Sequence, residues 1–399
     1  MLPTAPDDTF VYVNTPDGVA ALAAQIDRAG RAAVDTEADS LHHYYQKVCL
    51  IQVAAGGSVY IVDPLCGVDL APMLAALGRC PLVLHGADYD LRMLRRNFEF
   101  RATRIFDTMV AARLLGYEKI SLAGLVEKHF GIVLPKQGQK ADWSRRPITP
   151  DLLQYAANDT RYLEALADLL RAELAAQGRE RWHEEMCVRL IAEAEDDPRE
   201  SEPEKEWRIK GWRQLETTRA LGILREIWYW REEEAKRVNL PPFRILGNET
   251  MIKLAQWAET TTDFTTAPKL PRNCVGRRLH ALKQAVGRGR RLPESQLPQF
   301  QIPRKGERLP SAEDIMTRLK KARNEAALQL GLDPGLLAPA STLECIARRR
   351  PASVQQMIEF CGLYAWQAEL VGSVLLAAMN GSRAESRQAP VPPSAETAP

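Results

Sequence analysis

Ala32-Ala33-Val34-Asp35, Val48-Cys49-Leu50-Ile51-Gln52-Val53-Ala54 and Val59-Tyr60-Ile61-Val62 are three short apolar runs that decide the fold. Each has strand length and β-branched residues, and the connections between them are too short for a crossover helix, so the three are antiparallel neighbours in one sheet. Two further runs flank them, Phe10 to Val13 and Leu82 to His85. After Asp63 strand and helix alternate, which makes the sheet mixed and the domain α/β. Its last helix opens at Thr149-Pro150-Asp151, a polar cap, a proline at the first helical position and an acid in the first turn. That helix is expected to continue through Tyr155, Asp159, Tyr162 and Leu166 to about Gly178.

The chain has 399 residues, enough for about two to three domains. With 45% apolar and 26% charged residues it has the composition of a folded globular protein, which excludes wholesale disorder and fibrous repeats. The best apolar run, Val371 to Met379, is nine residues long, and a membrane helix needs about 18. The N-terminus Met1-Leu2-Pro3-Thr4-Ala5-Pro6-Asp7-Asp8 has neither a basic start nor an apolar stretch, so a cytoplasmic protein is expected. Seven cysteines, an odd number with no Cys-x-x-Cys pair, read as reduced buried thiols.

The net charge of +2 conceals local asymmetry. Residues 193–206 hold eight acids against Arg199 and Lys205 and read as a solvated linker. Beyond it the periodicity is helical. Between Lys269 and Arg308 there are eleven Lys or Arg against Glu294 and Glu307, a footprint for anions or a solvated basic face. The expected organisation is an α/β domain over 1–192, an acidic linker over 193–206, a helical domain over 207–295, a basic linker over 296–309, a second helical domain over 310–380 and a disordered tail over 381–399.

Three elements carry the chemistry. Asp35-Thr36-Glu37 ends a strand, and period-two alternation sends both carboxylates to one side, where a hard divalent cation would relieve their repulsion. In Leu82-Val83-Leu84-His85-Gly86-Ala87-Asp88-Tyr89-Asp90, Asp88 suits a helix cap and Asp90 is the better candidate to face Asp35. In Tyr155-Ala156-Ala157-Asn158-Asp159 the tyrosine and the acid share one helical face. Each has a bland reading, an isolated acid pair, a cap and an edge tyrosine; the combination in chain order is far more specific. Among their neighbours, Asp107 reads as a helix cap and His85 as a core histidine.

Taken together, these residues resemble the ribonuclease D family over residues 8 to about 380. Asp35-Thr36-Glu37, His85 through Asp90 and Tyr155 through Asp159 match the three motifs of the DEDDy exonucleases, with further likeness in Phe106-Asp107-Thr108 and in Lys136 through Arg146. The resemblance implies an RNase H-like mixed-sheet exonuclease domain followed by two all-α helical domains of HRDC type, the second matching more loosely than the first. It implies a 3′→5′ exoribonuclease that uses two divalent metal ions, Mg²⁺ or Mn²⁺, held by Asp35, Glu37, Asp90 and Asp159, with Tyr155 orienting the attacking water and 5′-mononucleotides released. The implied substrate is RNA with a single-stranded 3′ end, transfer RNA precursors among them, acted on by a monomer. After Glu37, Ala38 through Tyr44 depart from the commonest bacterial pattern toward the eukaryotic exosome-associated relatives, which leaves the substrate open.

RNA contacts are expected at His42, His43 and Tyr44, and at Arg145 and Arg146, with Trp143 either holding RNA or closing the core. In the basic stretch they are expected at Arg277, Arg278, Lys283, Arg288, Arg290 and Arg291. Trp207, Trp212, Trp228, Tyr229 and Trp230 read as helix core rather than base-stacking surface. Two other readings stay open, a DNA exonuclease on the same site and a noncatalytic RNA-binding scaffold.

Overall fold

In the computed structural model, which describes residues 9–135, 138–195, 206–299 and 312–381, the three opening runs pair as antiparallel neighbours. They form β2 (Ala32–Ala38), β3 (Val48–Ala55) and β4 (Ser58–Val62). On one side β1 (Val11–Val13) joins β4 in parallel; on the other, β5 (Leu82–Leu84) and then β6 (Ile105–Asp107) extend β2 in parallel. The sheet is therefore mixed, in the order β1-β4-β3-β2-β5-β6. The sixth strand was not among the expected runs, because three residues are too few for alternation to register.

Helices cover both faces. α1 (Pro16–Ala29), α2 (Ala71–Arg79) and α3 (Asp88–Phe98) share one core with Ala32 and Val34, while α4 (Thr108–Leu114), α6 (Pro150–Arg161) and α7 (Leu163–Ala176) share the other with Ala33. α5 (Leu122–Phe130) joins this second core through Leu125 and forms a small cluster beside it through Val126. Alternation along β2 thus assigns Asp35 and Glu37 to the α6 side. Every residue of β3 is buried, as a strand covered on both faces requires.

The single helix expected from Thr149 to about Gly178 is two helices. At Tyr162 the backbone leaves the helical ladder (φ −101°, ψ −7°), and the ring drops into a small cluster with Val126 and Leu134. A third helix, α8 (Glu180–Glu195), follows and packs against α3 and β6. Its last turn takes up residues 193–195 of the expected acidic linker; residues 196–205 of that linker, most of the basic one and the tail beyond 381 lie outside the described residues.

The first helical domain is built on helices Thr218–Val238, Asn248–Thr260 and Gly276–Arg291, and Trp207, Trp228 and Trp230 are buried in its core. The second comprises Ala312–Leu330, Ala340–Arg349, Val354–Cys361 and Ser373–Asn380. Its core is continuous with the α6 side of the sheet. Trp182 of α8 stacks on Trp366 at 4.7 Å, and the Glu185 carboxylate accepts from the Ala365 and Trp366 N–H groups. The first domain meets the loop after β2, where the Tyr44 and Tyr45 N–H groups both donate to Asn239 Oδ1. Among the described residues no helix is long and apolar enough to cross a membrane.

Trp366 is fully buried at the junction of two units. Trp366→Ala is expected to cost about 3–5 kcal/mol and to lower the unfolding midpoint of the exonuclease domain together with that of the second helical domain. Denaturation followed in parallel by far-UV circular dichroism and tryptophan fluorescence checks this.

Candidate active site

The site begins where β5 stops. β2 pairs with β5 only through Ala32 and Ala33, and beyond them its edge would be left with unpaired N–H groups. Asp90, in the first turn of α3, fills that place, its Oδ1 accepting from the Thr36 N–H at 3.1 Å and from Thr36 Oγ1 at 2.5 Å. On its other edge β2 stays paired with β3, Asp35 opposite Gln52 and Glu37 opposite Leu50, and the register shifts immediately after Glu37. A bulge at that point ends regular pairing beside the two acids.

From the α6 layer, Thr149 Oγ1 accepts from the Leu152 N–H and Pro150 starts the helix, which directs Tyr155 and Asp159 down onto β2. Carboxylate oxygens of Asp35, Glu37 and Asp159 all lie within 4.8 Å of one another. The Tyr155 side chain lies beside Asp159 and Gln139. Burial, reinforced by the neighbouring acids, pushes Asp35 well above the usual carboxylate range, Glu37 up to about 9 and Asp159 up to about 7. Asp90 also rises to about 7 through burial, although its bonds to Thr36 pull the other way. Tyr155 is raised too, by burial and then by Asp159, so its hydroxyl keeps its proton. Crowded carboxyls of this kind suit hard divalent cations, which replace their protons and take carboxylate oxygens.

A fifth acid, Asp107, holds the site without entering it. Its carboxylate caps α4 by accepting from the Met109 and Val110 N–H groups, and it accepts from the Gly86 and Ala87 N–H groups at 3.0 and 2.7 Å. The cap was legible in the sequence. The grip on the turn that leads into α3, and so on the placement of Asp90, needed the two strand ends side by side. His85 is a satisfied histidine, its Nδ1 2.9 Å from Thr108 Oγ1. Asp88 does not cap α3: it sits within the helix and pairs with Arg92.

The family description "3′-5′ exonuclease" matches residues 10–175, and "HRDC domain" matches 220–266 and 312–379, the second segment over the greater length. Ribonuclease D of Nitrobacter hamburgensis is 30% identical over 380 residues, 93% of this chain and 96% of the relative. Ribonuclease D of Xanthomonas oryzae is 31% identical over 347 residues, 83% and 91% of the two chains. The chain belongs to the ribonuclease D family. It is a 3′→5′ exoribonuclease, and the scaffold reading falls away with that assignment. Among solved structures, Escherichia coli RNase D, an exoribonuclease involved in structured RNA processing, superposes with a TM-score of 0.74 at 22% identity, covering 94% of this chain and all of that one (100%). The catalytic core of RRP6 from Trypanosoma brucei superposes at 0.54 and 23% identity, covering 72% and 83%. These two likenesses concern the fold.

Several RNA-contact expectations change with the structure. Trp143 is 2% exposed and packs 6.1 Å from the Tyr155 ring, so it closes the core rather than holding RNA. The Arg146 guanidinium is consumed by Asp63 and by the carbonyls of Cys49, Trp143 and Arg145. Tyr44 is packed against the first helical domain, whereas Tyr45, overlooked in the sequence, is 59% exposed. His43 lies 3.1 Å from Asp39, and His42 lies between the Lys140 carbonyl and Arg244. In the basic helix, Arg278 pairs with Glu234 and Arg288 with Glu226, while Arg290 donates to the Ala258 and Thr261 carbonyls. Exposed cations remain at Arg145 and Arg288, although each pairs through Nε with an acid, and at Arg277, Lys283 and Arg291.

Because the folded site raises its carboxyl pKa values, folding takes up protons, and this contribution to stability, full near the ordinary carboxylate range, is lost as pH rises toward the folded values. In EDTA, Tm should fall between about pH 5 and 9, and Asp159→Asn should flatten that fall and raise Tm at pH 8 by about 2–4 °C. Calorimetry of both proteins across that range is the check.

Proposed function

We propose that Asp35, Glu37, Asp90 and Asp159 hold two divalent cations, Mg²⁺ or Mn²⁺, and that RNA is shortened from its 3′ end one nucleotide at a time with release of 5′-mononucleotides. The observation that carries this reading is the convergence of three carboxylates from a strand and a helix to within 4.8 Å, beside a protonated tyrosine. Bound there, the cations would activate the attacking water and stabilise the leaving 3′ oxygen. The chain's own contribution is positional. Asp35, Glu37 and Asp159, whose carboxylates converge, would hold the cations together with Asp90, which Thr36 fixes in place. Tyr155, kept protonated, orients the water by hydrogen bonding rather than deprotonating it.

The substrate reading is RNA with a single-stranded 3′ end, transfer RNA precursors and other structured RNAs among them, acted on by a monomer in the cytoplasm. Seven unpaired cysteines support a reducing compartment. Arg145, Arg277, Lys283 and Arg291 are the side chains best placed to meet phosphate, a grip that is sequence-blind and weakens with salt. Phosphate contacts do not distinguish RNA from DNA, so the polymer preference has its own arm in the experiment.

A time course on 5′-labelled single-stranded RNA and the matching DNA, with Mg²⁺, with Mn²⁺ and with EDTA, tests the reading. A metal-dependent ladder shortening from the 3′ end, strong on RNA, weak on DNA and absent with Asp35→Asn or Asp159→Asn, is expected. Tyr155→Phe should lower kcat by about 10²-fold while leaving cation affinity intact. Full activity in Asp35→Asn would sink the site assignment, and equal ladders on both polymers would favour the DNA-competent reading.

A further inference from the structure

Tyr155 is pressed on by a loop that is itself bolted to the sheet. A Cβ added at Gly138 would stand 2.6 Å from Tyr155 Cδ1, 2.7 Å from Cγ and 2.9 Å from Cε1, distances no real side chain occupies. Gly138 is not among the residues with positive φ, so it is the space against the ring, not the backbone conformation, that excludes a side chain. Five residues on, Trp143 is buried against the same tyrosine with its ring tilted by 32°. The next residue but two is Arg146, whose Nε and Nη2 donate to the two oxygens of Asp63, both at 2.7 Å. Arg146 Nη2 also donates to the Cys49 carbonyl on β3, and Nη1 donates to the carbonyls of Trp143 and Arg145 within the loop. Asp63, at the end of β4, also accepts from the Tyr12 hydroxyl at 2.5 Å, so the anchor reaches β1.

A fork of this kind locks an arginine in one orientation, and a guanidinium that also saturates backbone carbonyls has no donors left for phosphate. Gly138, Trp143 and Arg146 therefore share one mechanical task. We infer that the loop 138–146 is a positioning clamp for Tyr155, in which the Arg146–Asp63 fork fixes the loop to the sheet and the bare backbone of Gly138 sets where the tyrosine ring stops. These are positioning residues, which act through Tyr155. The inference rests on the reading of Tyr155 as the group that orients the attacking water.

The test is steady-state kinetics on 5′-labelled single-stranded RNA with the full chain, beside cation affinity and Tm. Gly138→Ala is expected to lower kcat by about 10–100-fold, as a displacement on the order of 1 Å does, with KM and cation affinity unchanged. Arg146→Lys keeps the charge, loses the fork and should lower kcat in the same way, which keeps the inference testable if Gly138→Ala fails to fold. In a Tyr155→Phe background neither substitution should lower kcat further, an outcome that a general loosening of the domain would not produce. Wild-type kcat in both variants, or an undiminished loss on top of Tyr155→Phe, overturns the clamp. A raised, salt-dependent KM in Arg146→Lys also overturns it, by returning Arg146 to RNA binding. Wild-type kcat in Tyr155→Phe alone overturns instead the underlying role of the tyrosine, so the two failures are distinguishable.

Discussion

Burial of four neighbouring acids, Asp35, Glu37, Asp90 and Asp159, reinforced by their mutual repulsion, is the constraint around which the exonuclease domain is arranged. Acids this close and this sheltered destabilise the fold whenever they are charged, and only surrounding packing keeps them together. Each neighbouring feature answers that demand. Asp90 replaces the ladder partner that β5 no longer supplies, Asp107 clips the turn that aims α3, and a well-capped α6 brings Asp159 down from the opposite layer. The raised carboxyl pKa values record what this arrangement costs, and divalent cations are the ligands that offset it.

The helical domains are not loose appendages to this centre. The second shares a continuous core with the sheet through Trp182 and Trp366, and the first holds the loop after β2 through Asn239. Attachment of both arms to the sheet shapes the surroundings of the carboxylates. It also explains why charge counting overstates the grip on phosphate. Arg278 and Arg290 carry formal charge in a basic segment, yet they are half-buried and bonded to Glu234 and to helix-end carbonyls, and Arg288 gives one donor to Glu226.

Much of the fold was legible locally. Runs of β-branched residues with short connections determine antiparallel neighbours whatever surrounds them, and a Thr-Pro-Asp start determines a helix because its orphan N–H groups find their partner within three residues. β6 and the break at Tyr162 were not legible. A three-residue strand exists only because β5 lies beside it, and Tyr162 leaves the helix with its ring in a cluster whose other members, Val126 and Leu134, lie far away in sequence.

The site divides along the same line. Sequence by itself determined that Asp35 and Glu37 share one side of β2, and that Tyr155 and Asp159 share a helical face, because strand and helix periods are properties of the backbone alone. Only the tertiary structure decided that Asp90 completes a broken ladder and that Asp107 spans two turns. The same holds for Trp143 and Arg146, which face inward to Tyr155 and Asp63 and not outward to RNA. Those outcomes depend on which polar groups remain unsatisfied once the layers have closed, and that is settled by neighbours in space, many of them distant in the chain.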